Sequence, residues 1–229
     1  MDRRTILQAA VALVMVYAFM VLAPAALSST GQQLADDTAA FVEDATGAPV
    51  PRRPLLFVDS FDVGRWPSLK GAAAVVVTMS SGESRIEFLR PCQYALEVLG
   101  LQLRRPWSPD CARKLLHEVL HDDEPSVTAL DGWVEHGLVE ALAEDFWPAY
   151  VWRMTGRRDV LSPFTVHGDA VRVVRVASAR ATGSPWTSRA ARVWRRSVWA
   201  MTSRQRIAEL ERAGFTRAML ELESVKPDL

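Results

Sequence analysis

The run Leu116-His117-Glu118-Val119-Leu120-His121 constrains this chain more than any other stretch, because it is an H-E-x-x-H motif inside sequence that favours helix. Ser108-Pro109-Asp110 supplies an N-cap, a proline at the first helical position and an acid in the first turn. Asp122-Asp123-Glu124-Pro125 follows and stops the helix, since a residue before proline avoids helical dihedrals. A helix from Pro109 to about His121 is predicted. On it, positions i and i+4 share a face, so His117 and His121 aim at one point with Glu118 beside them. Two neutral imidazoles suit zinc, and the carboxylate is placed to take a proton from water activated by the metal. Chance would produce this pattern only roughly 0.004 times in a chain of this composition.

At 229 residues and 49% apolar content, the chain suits one ordinary domain with appendages and is neither disordered nor fibrous. Short β-like runs precede the histidines: Leu55 to Asp59, Ala72 to Met79, and Ser84 to Leu89, where Ile86 and Phe88 alternate with Arg85 and Glu87. Ser80-Ser81-Gly82-Glu83 reads as a hairpin loop between the last two. After the motif, a second helix is expected from Trp133 to about Trp147, closed by Pro148. Tyr150 to Met154 and Val171 to Val176 are apolar or β-branched patches, and Ser188 to Glu223 reads mostly as helix, broken near Gly214. The fold class expected is α+β, with a small N-terminal sheet, a motif helix, a second site helix and a mostly helical C-terminal region. Residues 55–155 form the expected catalytic domain and residues 156–229 a basic helical region.

The N-terminus reads as a targeting segment. Asp2-Arg3-Arg4 precedes an apolar stretch from Ile6 to Leu27, long enough to span a bilayer, which makes residues 1–30 a signal-anchor helix or, with Ala23-Pro24-Ala25 as a small-x-small site, a signal peptide. Asp36, Asp37, Glu43 and Asp44 after it place the remainder outside the cytoplasm, membrane-anchored or secreted. Residues 31–54, small, polar and ending in a proline-rich stretch, read as a linker. Cys92 and Cys111 are the only cysteines, and a disulfide between them would clamp the approach to the motif helix. Two unpaired thiols, or Cys111 as a zinc ligand, are the alternatives.

A catalytic zinc site needs a third protein ligand and one open position. Candidates stand in Trp133-Val134-Glu135-His136-Gly137-Leu138-Val139-Glu140. Here the chain resembles the gluzincin class of zinc metallopeptidases, in which the motif helix is followed by a helix opening W-L-x-E-G-x-A-E-Y. Trp133, Gly137, Leu138 and Glu140 match that pattern. The class ligand, a glutamate before the glycine, is replaced by His136, and the resemblance implies that His136 completes a three-histidine site with Glu140 supporting an imidazole. Counting from His121 instead gives Glu140, with Glu144 as its orienter, and Glu135 is a third possibility. The resemblance spans roughly residues 72–150 and implies Zn2+ as cofactor and a peptide or protein as substrate.

His167 sits in loop-like sequence, either stabilising a tetrahedral intermediate or simply solvent-exposed. Charge is uneven: residues 1–150 hold 12 basic and 20 acidic side chains, residues 151–229 hold 15 and 7. Trp186, Trp194 and Trp199 interleave with Arg189, Arg192, Arg195, Arg196, Arg204 and Arg206, a mixture suited to a membrane surface or to single-stranded nucleic acid. An amphipathic helix that packs tryptophan inward and shows arginine to water is the plainer assignment, and no nucleic-acid partner is expected. The sequence thus points to a zinc-dependent hydrolase with Glu118 as general base. Its rivals are a non-catalytic zinc-binding module and a metal-free anchored interaction domain.

Overall fold

The computed structural model describes residues 31–61, 74–79, 81–93, 96, 109–122, 128–156, 158 and 168–224. Mixed α/β architecture, mostly helical with one small sheet, agrees with the expected α+β class.

The first correction concerns residues 31–54. Their small, polar composition predicts a linker, yet residues 31–46 are helical and are designated α1. Leu34, Ala35, Thr38, Ala39, Phe41 and Val42 fall on one helical stripe, and all six are buried. The Thr38 hydroxyl donates to the Leu34 carbonyl at 2.7 Å and meets the Tyr150 hydroxyl at 3.1 Å. The chain beyond α1 is equally fixed, because the Gln32 side chain donates to the Arg53 carbonyl (3.2 Å) and accepts from the Leu55 amide (2.8 Å).

Three strands follow, β1 (Leu55–Val58), β2 (Ala74–Thr78) and β3 (Ser84–Leu89). Their order is β1-β3-β2, with β3 parallel to β1 and antiparallel to β2. Ile86 and Phe88 enter the core while Arg85 and Glu87 stay at its edge, as the alternation predicts. Gly82, at φ 85°, makes the expected turn. Its amide donates to the Met79 carbonyl at 2.9 Å, and the Met79 amide to the Glu83 carbonyl at 2.8 Å.

The motif helix, α2, runs Pro109–Leu120, and the second site helix, α3, runs Ala129–Thr155. The expected N-cap Ser108 lies outside the described residues. α3 is nearly twice as long as predicted. It begins earlier because Thr128 and Asp131 form a capping box, and it continues through Pro148 to Gly156, which closes it at φ 69°. An interior proline costs about 3 kcal/mol. Pro148 lies on the exposed face, whereas Trp147, Tyr150 and Val151 on the opposite face are fully packed, and burial of side chains this large contributes about 1.5–3 kcal/mol each.

Among the described residues four more helices follow: α4 (Gly168–Thr182), α5 (Arg189–Trp199), α6 (Ser203–Arg212) and α7 (Arg217–Ser224). The β-branched patch Val171–Val176 is therefore helical, with Val171, Val173 and Val174 buried. α3 buries apolar side chains on two sides because it lies between two cores. On one side lie α1, the sheet, α2 and Trp199; on the other, α4 to α7. The C-terminal region packs on the same central helix as the sheet and α2.

The arginines of the C-terminal helices are also corrected. Arg195 and Arg206 are buried rather than turned to water. Arg195 forms a forked pair with Asp145 (2.6–2.9 Å) and donates to Ser178 Oγ and the Trp186 carbonyl, both at 2.9 Å.

Among the described residues no helix is long and apolar enough to cross a membrane. The 27-residue α3 has the length, but it carries Asp131, Glu135, Glu140, Glu144, Asp145 and Arg153. The apolar stretch at residues 1–30 lies outside the described residues. The signal-anchor, the membrane tether and the extracytoplasmic placement expected from it have no support in the structure.

Candidate metal centre

α2 presents Arg113 and His117 on one face, with His121 next along that line, one residue beyond the end of the helix. The carbonyl end of α2 is held from two directions. Arg53 donates to the carbonyls of Glu118 (3.2 Å) and His121 (2.6 Å), and the Trp199 indole donates to the carbonyl of Leu120 at 2.8 Å. A cation at a helix C-terminus complements the dipole there, and the last carbonyls gain the partners they lack within the helix. Arg206, on α6, donates to the Trp199 carbonyl at 2.6 Å and pairs with Asp122 at 2.5 Å.

α3 faces this end with Glu135, His136 and Glu140. His117, His121 and His136 each offer one nitrogen, and the three nitrogens lie within 4.8 Å of one another. Nε2 of His117 and Nε2 of His121 are 3.0 Å apart. Two nitrogens on one tetrahedral zinc at 2.0–2.1 Å would be about 3.3 Å apart, so a small adjustment seats an ion.

The other ring nitrogen of each histidine faces an oxygen. His121 Nδ1 is 2.8 Å from Glu135 Oε1, His117 Nδ1 is 3.3 Å from Glu140 Oε1, and His136 Nδ1 is 2.8 Å from the Gly132 carbonyl. Carboxylate and carbonyl partners of this kind orient ligand imidazoles and fix the tautomer that leaves Nε2 for a metal. Of the three sequence candidates, His136 lies in the nitrogen cluster, while Glu140 and Glu135 each face one of the two motif histidines.

Electrostatics follow the same pairing. Burial works against ionised Glu135 and Glu140, but the hydrogen bonds and charges of His121 and His117, with Arg113 acting on Glu140, outweigh it and hold both carboxyls at about 2. Burial likewise opposes charge on His121, and Glu135 overcomes it to raise that imidazole above its ordinary value. Arg113 is buried and donates to the Glu140 carboxylate and, at 3.2 Å, to the Glu140 carbonyl.

Glu118 is buried beside this cluster, close enough for its charge to act on His121. Among the described residues no side chain hydrogen-bonds its carboxylate. Cys111 is bonded to Cys92 and is therefore no zinc ligand; the disulfide fixes the first turn of α2. His167 lies outside the described residues, and Glu144 pairs with Arg175 rather than orienting anything in the site.

Sequence reasoning missed Arg53, Arg113, Trp199 and Arg206. Arg113 stands one turn before His117, so helical spacing alone could have drawn attention to it. Arg53 and Trp199 are far from the motif in sequence, and no local pattern marks them.

No protein-family model, curated protein or solved structure matches the chain. Nothing in these comparisons identifies a gluzincin family.

Proposed function

We propose that this chain is a zinc-dependent hydrolase of zincin-like build, with His117, His121 and His136 as metal ligands and Glu118 as general base. One observation carries the reading: three imidazole nitrogens converge from two helices while each partner nitrogen faces a carboxylate or carbonyl. Donor type suits the metal, since three neutral nitrogens leave a tetrahedral ion one open position. Bound there, zinc would supply Lewis-acid activation of water and stabilisation of charge developing on a carbonyl oxygen.

The remaining chemistry belongs to the protein. Glu118 takes the proton of the attacking water and returns it to the leaving amine, a role open to a carboxylate with no competing donor. Glu135 and Glu140 keep His121 and His117 in the tautomer that leaves Nε2 free. An amide bond of a peptide is the substrate that the gluzincin resemblance suggests. A purely structural zinc site would need a fourth protein ligand, and the described residues offer three.

The test is zinc content with hydrolysis. Wild-type protein should bind one zinc per chain and cleave a mixed peptide library, with activity removed by chelator and restored by zinc. Absence of zinc refutes the site, and stoichiometric zinc without cleavage leaves a non-catalytic zinc module.

A further inference from the structure

Arg113 is 4% exposed, one turn before His117 on the same helix, and its Nη2 donates to both the carboxylate and the main-chain carbonyl of Glu140. Its Nε and Nη1 find no hydrogen-bond partner among the described residues. A buried guanidinium with two unpartnered nitrogens is expensive for the fold, and apolar side chains of similar volume often replace such groups at no loss. What the residue does accomplish is local. It fixes one oxygen of Glu140 and turns the other to within 3.3 Å of His117 Nδ1.

The two α2 histidines are thereby served differently. Glu135, which faces His121, also accepts from the backbone amide of Asp122 at 3.3 Å, so the main chain holds that carboxylate. Among the described residues, Glu140 is held by a side chain instead, and that side chain belongs to the helix bearing His117.

Resting on the three-histidine reading above, we infer that Arg113 is a positioning residue for the metal centre, acting on His117 through Glu140. Arg113, Glu140 and His117 form one unit: the guanidinium orients the carboxylate, and the carboxylate orients the imidazole. The claim is specific to this pathway. Removal of Arg113 should weaken zinc only while Glu140 is present to transmit the loss.

The experiment is a double-mutant cycle on the full chain, with zinc affinity read by competition against a chromogenic chelator and folding checked by circular dichroism. Arg113→Gln and Glu140→Gln should each weaken zinc about 10- to 100-fold, the range for losing a partner of a ligand imidazole. The double variant should match Glu140→Gln within about twofold, the scatter of independent sites. Arg113→Lys should fall between wild type and Arg113→Gln, because an ammonium keeps the charge without the planar fork. Should Arg113→Gln not fold, the cycle is run with Arg113→Lys, whose smaller loss must likewise vanish in the Glu140→Gln background. Wild-type affinity in the Arg113 variant, or the same fold-loss with and without Glu140, overturns the inference. Absence of zinc from the wild-type protein overturns the three-histidine reading itself and this inference with it, whereas stoichiometric zinc with an additive cycle overturns this inference alone.

Discussion

Nε2 of His117 and Nε2 of His121 stand 3.0 Å apart, while their Nδ1 atoms point away to carboxylates on another helix. The spacing of the motif brings the rings together; α3 turns them. A ligand and an orienting residue can therefore be separated by experiment.

His136→Ala should abolish stoichiometric zinc, since it removes one of three nitrogens. Glu140→Ala should lower affinity about 10- to 100-fold and leave zinc detectable in excess metal. Metal analysis after gel filtration, with and without added zinc, checks both. The reverse ranking transfers the ligand role to Glu140.

Glu118→Gln should retain zinc and lose hydrolysis by about 10²- to 10⁴-fold, the usual contribution of a positioned base. Steady-state rates on a peptide cleaved by the wild type, normalised to zinc content, measure it. A rate within a few-fold of wild type would remove Glu118 from the mechanism.

The metal-free protein should lose stability in acid. Glu135 and Glu140 are held at about 2 in the folded state, below the ordinary carboxylate value of 4.5. Their stabilisation is thus complete above about pH 4.5 and is lost as pH falls through 4.5 toward 2. Urea midpoints at pH 6 and pH 3.5, with chelator present, should differ by less in Glu140→Gln than in wild type. Equal differences in the two proteins would show that Glu140 is not held low.

Gly137 lies where α3 meets the start of α4. A Cβ there would stand 2.8 Å from the Ala170 carbonyl oxygen and 2.9 Å from its carbon. Helix propensity alone favours Gly→Ala by about 1 kcal/mol, but overpacking against backbone costs about 1–3 kcal/mol and should win. Thermal melts of Gly137→Ala should show a lower Tm, and an unchanged or higher Tm would mean that α4 moves aside without cost.

Reduction of Cys92–Cys111, which spans a sequence separation of 19, should destabilise the chain by about 3 kcal/mol in the loop-entropy picture. Denaturant titration with and without a thiol reductant tests this. Because Cys111 lies in the first turn of α2 and makes no contribution to the nitrogen cluster, zinc affinity should change far less than stability.

The sequence by itself determined what depends on neighbours along the chain. The start of α2, the pairing of His117 with His121, the β2–β3 turn at Gly82 and the alternation of Ile86 and Phe88 all follow from spacing or from a residue's own dihedral preferences. Even His136 was in view, because the resemblance around Gly137 puts it at the position where the class has its ligand. Tertiary structure decided whatever depends on residues far apart. It made residues 31–46 a core helix, since a run of small side chains cannot reveal that Tyr150 will cover Thr38. It carried α3 past Pro148, because packing of Trp147, Tyr150 and Val151 outweighs one lost backbone bond. It turned Arg195 and Arg206 inward toward Asp145 and Asp122. At the site it set His136 and Glu140 in different places, a difference that spacing left open because the two lie one turn apart on one face. Only the rotation of α3 against α2 puts the imidazole of one among the nitrogens and the carboxylate of the other behind His117.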